Sequence, residues 1–357
     1  MKRKYLGKNV LEAARERIAF IFDTFEHIYV SVSGGKDSTA LYHLALEEAI
    51  KRDRKINLFY LDQEVEYAAT IDVVRTMMAH PNVVPMWYQV PIYMTNSTSY
   101  EEDMLYAWSE GAEWLRPKED ISIKSISDPY PQRFYKFFNW FEAWQPDGSA
   151  FLVGLRAEEG ITRYRAVTKY PGYKGIKWST KSSNSKSYKM YPIYDWGMGD
   201  VWKYIYDNQF SYNDIYNKIF MNGTSIYNKM RVSNLIHEKS FKCLTDLQVL
   251  EPDTFEKVIK RIKGTHCAAL YAKENMIYSN GKLPNAFKKW LEYRDYLLAT
   301  IPTEKRYRFV KRFADQPKDE YTFRQQCKQL LINDWENNIS ITKKPKNDKL
   351  ERWRAIL

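Results

Sequence analysis

The sequence predicts an α/β fold: a parallel, twisted sheet with flanking helices over residues 1–210, followed by a helical region over 211–357. Three observations carry this. Short apolar runs alternate with stripes of apolar residues at helical spacing through roughly the first 90 residues. The first such run leads directly into Ser33-Gly34-Gly35-Lys36-Asp37-Ser38 and a new helical stripe. Beyond about residue 199 the strand-like runs stop and helical patterns continue alone. Strands alternating with helices imply βαβ units and hence a parallel sheet.

Taken in order, residues 9–25 place Leu11, Ala14, Ile18 and Phe22 on one helical face. Ile28-Tyr29-Val30-Ser31-Val32 reads as the first strand, and Leu41, Leu44, Ala45 and Ala49 stripe the helix after the glycine turn. Ile56 to Leu61 reads as a buried strand ending at Asp62, followed by a helix over Tyr67–Ala79 and a strand over Val83–Val90. Residues 95–148 break the pattern with aromatics, acids and prolines, and read as an insertion over the site. Ala150 to Gly154 is a strand that rejoins the sheet. Residues 163–190, dense in Arg, Lys, Tyr and Ser, read as a mobile basic loop. Pro252 stands where a proline opens a helix, here one with Phe255, Val258, Ile259 and Ile262 inward. Further helices are expected over 284–299, 303–314 and 320–333, then a loosely held basic end from Lys343 to Arg354.

Composition bounds the rest. Hydrophobic residues at 44% suffice for a core. No apolar run approaches the ~20 residues that span a bilayer. No apolar signal core follows Met1-Lys2-Arg3-Lys4, so a cytoplasmic protein without a membrane partner is expected. Cys243, Cys267 and Cys327 are too scattered for a disulfide framework or a Cys-x-x-Cys site. His266 and Cys267 are neighbours, and adjacent residues do not converge on one metal. A net charge of +11 with 28 Tyr and 11 Trp suits a chain that handles a nucleotide or nucleic acid, and equally an ordinary basic surface.

The glycine loop is the most specific signal. Gly34 and Gly35 allow a tight turn whose amides can point at an anion. The helix opening near Asp37 adds its positive end, Ser33 and Ser38 add hydroxyl donors, and Lys36 adds a mobile cation. It is not a Walker A loop, for no Gly-x-x-x-x-Gly-Lys-Ser/Thr occurs. A second motif, Gly154-Leu155-Arg156-Ala157-Glu158-Glu159-Gly160 with Arg163 and Arg165, follows a strand end, where a guanidinium can fork onto a phosphate. Its acids can hold Mg²⁺, fix the arginine or start a helix. In a third, Pro192 to Ile205, Asp200 is read as the cap of a helix that packs through Val201, Tyr204 and Ile205.

In order, these motifs resemble the phosphoadenosine phosphosulfate (PAPS) reductase family and, in the loop itself, the N-type ATP pyrophosphatases (PP-loop proteins). That family carries Ser-Gly-Gly-x-Asp-Ser, an acidic strand end, Gly-x-Arg-x-x-Glu-Ser with a trailing arginine, and Pro-x-x-x-Trp-x-x-x-Asp-Val-Trp. Gly160 stands where the family has Ser. Segments 229–233, 250–255, 264–272 and 327–334 resemble the IbrA-type branch, so the likeness covers most of the chain.

The resemblance implies an adenine nucleotide alpha hydrolase-like sheet that binds ATP, or a related adenine nucleotide, with Mg²⁺. The nucleotide contacts implied are Ser33, Gly34, Gly35, Lys36, Asp37, Ser38, Asp62, Glu64, Gly154, Arg156 and Arg163, with Glu66 a further candidate beside Glu64. Asp37 and Asp62 are the implied metal ligands; Lys36, Asp37 and Arg156 are the implied catalytic set. The favoured reaction is cleavage at the α-phosphate with adenylyl transfer. Nucleic acid at the basic loop is a further candidate partner. The branch implies a ParB/sulfiredoxin-like partner, and with it the alternative of a nucleotide-binding transcriptional co-regulator without turnover. A third alternative is sulfonucleotide reduction through Cys243 or Cys267. Reductases of this family use a Glu-Cys-Gly-x-His thiol, some with further cysteines for an iron–sulfur cluster. No cysteine here has those neighbours, so neither is expected.

Overall fold

The computed structural model describes residues 7–168, 172–182, 186–223, 232, 235–236, 243–271 and 282–337. The chain divides into two compact units. The first takes in residues 1–94, 105–235 and 246–261; the second takes in 95–104, 236–245 and 262 onward. The division is therefore not a single cut near residue 210, because two later segments fold with the sheet.

The expected alternation of strands and helices is present. Helix α1 (Val10–Thr24) starts at Asn9, whose side chain accepts from the Glu12 amide. Then come β1 (Ile28–Ser31), α2 (Lys36–Lys51), β2 (Ile56–Leu61), α3 (Ala68–Met78) and β3 (Val83–Tyr88). Strands β4 (Ile92–Thr95) and β5 (Met104–Ala107) form a small separate sheet. Helix α4 (Phe134–Trp144) leads into β6 (Ala150–Val153), and α5 (Ile161–Thr168) into β7 (Ser179–Lys181) and β8 (Tyr188–Met190).

The main sheet has the order β3-β2-β1-β6-β8-β7. Every neighbouring pair is parallel except β7 with β8. Side chains alternate across it with period two. Ile28 and Val30, Leu58 and Tyr60, and Ala150 and Leu152 face the cluster built with α1, α2 and α3. Tyr29, Phe59, Tyr88 and Phe151 face the other way, onto Phe141 of α4. Phe59 and Phe141 stack with centroids 4.0 Å apart.

The span 95–148, read as an insertion over the site, contains the regular helix α4. Its Phe-Tyr-Lys-Phe-Phe-Asn-Trp-Phe-Glu-Ala-Trp sequence puts Phe134, Phe137 and Phe141 on one buried face at helical spacing. It is the cover of one sheet face. The span 163–190 is likewise not a loop throughout, since it contains part of α5 and the strands β7 and β8. Lys189 of β8 is partly buried, 2.8 Å from the buried Glu142 carboxylate.

Helix α6 (Met198–Asp207) packs Val201, Tyr204 and Ile205 into the core, as read. Asp200 is one turn further in than expected: Gly197 is the cap position, and the Asp200 carboxylate accepts from its amide at 2.6 Å. Ahead of it Arg17 holds Asp195 through two parallel bonds of 2.8 and 2.7 Å, and the Trp196 indole donates to the Val10 carbonyl. Helix α7 (Ile215–Met221) follows, then α8 (Cys243–Leu250) and α9 (Pro252–Arg261), the latter opening on its proline as predicted.

In the second unit, α10 (Thr265–Tyr271) precedes α11 (Trp290–Thr300), α12 (Thr303–Ala314) and α13 (Glu320–Leu331). Tyr293, Leu297, Phe309, Phe313, Cys327 and Leu330 form their common core. Helix α11 starts later than the expected 284. Residues 183–185 of the basic loop, most of segment 229–233 and the basic end from Lys343 lie outside the described residues.

Candidate functional site

The chain runs from β1 outward to β3, then returns to β6 on the other side of β1. That reversal makes the carboxyl ends of β1 and β6 a topological switch point, where open α/β sheets hold their ligands. Ser31 of β1 is in register with Val153 of β6, so the glycine loop and the Gly154–Gly160 segment leave the sheet side by side.

Local sterics explain the glycines. Gly34 has φ +67, and a Cβ on it would lie 2.7 Å from Thr70 Cγ2 on α3. Gly154 lies against the first turn of α2, its would-be Cβ 3.0 Å from Asp37 C and Ser38 N. The loop is braced internally. Ser38 Oγ donates to the Gly35 carbonyl at 2.9 Å and accepts from the Ser33 amide at 3.2 Å.

The three residues expected to act together are brought together. Asp37 lies between two cations, with Lys36 Nζ 3.0 Å from Oδ2 and Arg156 Nε 2.6 Å from Oδ1. Lys36 and Arg156 are both buried, at 8% and 4% exposure. Burial works against the Arg156 charge, but Asp37, Glu159 and Glu158 outweigh it and raise its pKa. Arg163 is half exposed and pairs with Glu159 at 3.1 Å.

Asp62 and Glu64 are placed differently. Asp62 is fully buried, and its carboxylate accepts from the Trp87 indole, the Gln89 amide, the Glu64 backbone and Arg116, the last at 2.7 Å to both oxygens. Glu64 is equally buried and accepts from the Trp108 amide at 2.9 Å and from Arg261 Nε at 2.9 Å. No hydrogen bond or ion pair among the described residues joins either acid to Lys36, Asp37 or Arg156. Both tie loops to the end of β2. Glu66 beside them is buried and its pKa is raised well above the carboxylate range, by desolvation and then by Asp62, against the pull of Arg116.

This donor set tests the Mg²⁺ implied for Asp37 and Asp62. A cation needs carboxylate lone pairs, and those of Asp62 are covered by N–H donors, one of them a guanidinium. Asp62 does not fit a metal, and Asp37 alone shares its two oxygens with Lys36 and Arg156.

Sequence reasoning missed the residues that back the loop. Asn213 Nδ2 donates to the Gly34 carbonyl at 3.1 Å and to Thr70 Oγ1 at 2.8 Å. Tyr216 Oη accepts from the Lys36 amide at 3.0 Å. Glu251, just before α9, accepts from the Ala68 and Ala69 amides and so caps α3. Asn213 lies just ahead of α7, where its Oδ1 accepts from the Ile215 amide at 3.1 Å, and Tyr216 is in the first turn of that helix.

The sequence profile of the phosphoadenosine phosphosulfate reductase domain matches residues 27–226, and that of a domain of unknown function, DUF3440, matches 224–339. The chain is 29% identical over 370 residues to the uncharacterized protein YbdN of Escherichia coli K12, covering 92% of this chain and 89% of that one. Among solved structures, the phosphate complex of Candida auris PAPS reductase is 14% identical, with a TM-score of 0.36 over 65% of this chain and all of that one. Candida glabrata FMN adenylyltransferase, with FMN and an ATP analogue, is 13% identical, with a TM-score of 0.37 over 61% of this chain and 64% of that one. Scores this low carry no weight for function. The profile match spans more than half of the chain, including the glycine loop, the arginine segment and the helix they flank: this chain belongs to the phosphoadenosine phosphosulfate reductase domain family.

Proposed function

We propose that the chain binds ATP, or a related adenine nucleotide, at this switch point and transfers its adenylyl group to an acceptor, releasing pyrophosphate. The observation that carries the reading is the convergence of Lys36, Asp37 and Arg156, from two segments far apart in sequence, beside a glycine loop at the start of a sixteen-residue helix. Loop amides and the helix dipole favour phosphate oxygens. Lys36 and Arg156 exchange part of their contact with Asp37 for the phosphate chain.

In the transfer, an acceptor lone pair forms a new bond to the α-phosphorus. The bond from that phosphorus to the bridging oxygen breaks, and pyrophosphate leaves with the electron pair. The acceptor proton passes to solvent. Such steps are accelerated by positioning and charge neutralisation, the tasks that buried Lys36 and Arg156 suit. Exposed Arg163, Arg165, Lys174, Lys177 and Lys181 offer an approach for an anionic acceptor, nucleic acid included. A thiol mechanism has less support. Burial pushes the Cys327 thiol up to about 12, which keeps it protonated, and neither Cys243 nor Cys267 has the Glu-Cys-Gly-x-His neighbours.

Incubation with α-³²P-labelled ATP, resolving AMP, ADP and pyrophosphate, tests this. AMP and pyrophosphate are expected, and Lys36→Ala should abolish them. ATP consumption unchanged in that variant would sink the assignment. A second reading, a regulatory module that binds without turnover, draws on Asp37 already being paired with both cations. Tight ATP binding with no product, even with a ParB/sulfiredoxin-like partner added, would favour it.

A further inference from the structure

We propose that Tyr216 is a phosphate-binding residue, whose phenol accepts the Lys36 amide and donates its own proton to a phosphate oxygen held by the loop. This rests on the nucleotide reading above and adds a donor that the glycine motif does not contain.

The position is unusual for a tyrosine. Its side chain is 4% exposed, on α7, and its hydroxyl oxygen is 3.0 Å from the Lys36 nitrogen. That oxygen is also 3.4 Å from where a Cβ on Gly35 would stand. Lys36 Nζ lies 5.8 Å from the centre of the same ring. The phenol is therefore built into the wall of the loop.

A phenol carries one donor and an acceptor side. Lys36 takes the acceptor side, and the O–H proton has no acceptor among the described residues. A buried donor left in this state is unfavourable, so a ligand that accepts from it gains where water cannot easily reach. The groups around it define that ligand. Lys36 and Arg156 are cations, and Gly34 and Gly35 supply loop amides. The Asp37 carboxylate, whose charge reaches the phenol, is already paired with both cations. A lining of donors selects an anion with several oxygens. The proton stays in place, because burial, with Asp37 and Glu159 adding to it against the Lys36 amide and Arg156, raises the phenol pKa.

Calorimetric titration of the full chain with ATP, inorganic pyrophosphate and adenosine, for wild type and Tyr216→Phe, tests the assignment. The variant keeps the ring and its packing. ATP and pyrophosphate are expected to bind about three- to tenfold more weakly, the range one ordinary hydrogen bond supports, while the response to adenosine is unchanged. Equal or tighter pyrophosphate binding by Tyr216→Phe overturns the proposal and leaves the nucleotide site standing. Equal weakening for adenosine assigns Tyr216 a structural role and also overturns it. A wild-type chain that binds neither ATP nor pyrophosphate removes the nucleotide reading itself. Circular-dichroism melts establish that Tyr216→Phe is folded; if it is not, Tyr216→Trp, which keeps a ring and an N–H donor, takes its place with the same expected pattern reversed toward wild type for pyrophosphate.

Discussion

Gly154→Ala perturbs the site through one methyl group. The added Cβ would stand 3.0 Å from Asp37 C, 3.0 Å from Ser38 N and 3.1 Å from Asp37 O. Carbon atoms in ordinary contact sit about 3.5–4.0 Å apart, so roughly half an ångström must be found. All three neighbours are backbone atoms in the first turn of α2 and cannot rotate aside as a side chain tip would. Either β6 or the helix start has to move. Overpacking of this kind costs about 1–3 kcal/mol, and a domain of this size loses about 2–4 °C in Tm per kcal/mol. The same shift moves Asp37 away from Arg156 and turns the loop amides off their aim. Differential scanning fluorimetry should therefore read a Tm lower by several degrees, and titration with ATP an affinity at least tenfold weaker. Gly160→Ala is the matched control. A Cβ there meets nothing within 4 Å, and the backbone, at φ 170, is extended. It should match wild type in both assays, as should Gly160→Ser, which restores the residue usual in the family. Wild-type ATP affinity in Gly154→Ala would refute the argument that close approach of β6 to α2 sets the loop geometry.

Two further changes probe the frame around the site. Glu66 holds its proton to higher pH in the folded chain than in the unfolded one, so unfolding releases that proton and stability falls as pH rises above the ordinary carboxylate range. Within that window the loss is about 1.4 kcal/mol per pH unit, and Glu66→Gln should remove it. Melts at pH 5 and pH 8 should show the variant stabilised mainly at pH 8, and equal shifts at both would contradict the assignment. Glu251→Ala strips the acceptor from the Ala68 and Ala69 amides. Loss of a cap costs about 1–2 kcal/mol, so urea unfolding should move to a lower midpoint with an unchanged slope, and Glu251→Gln should recover part of the difference.

The glycine loop was legible because everything that defines it is local: a strand, two glycines, a lysine and a helix start within ten residues. Arg156 was legible for the same reason, as the residue after a strand end. What the local pattern could not give was the company each residue keeps. Asp62 reads as an open acid at the end of β2 until Arg116, 54 residues later, is placed on both its oxygens. Glu64 reads as a ribose ligand until Arg261, 197 residues later, closes on it. Helix α4 carries the helical period in Phe134, Phe137 and Phe141, but the acids and prolines of the span ahead of it read as an insertion. Tyr216 and Asn213 carry no motif at all; their importance lies in which backbone groups they reach.

The detour of the chain through β3 has a consequence for how the molecule comes into being. Asp37 and Arg156 are 119 residues apart in sequence. Closing a segment of that length costs about 4 kcal/mol of chain entropy, far more than the short turns that build each βα unit. Chains emerge from synthesis N-terminus first, so the glycine loop exists long before its arginine does. In that interval Asp37 has only its neighbouring lysine for a counter-charge. The guanidinium follows β6 in chain order, so the two halves of the switch point can join only once the chain has grown 119 residues past Asp37.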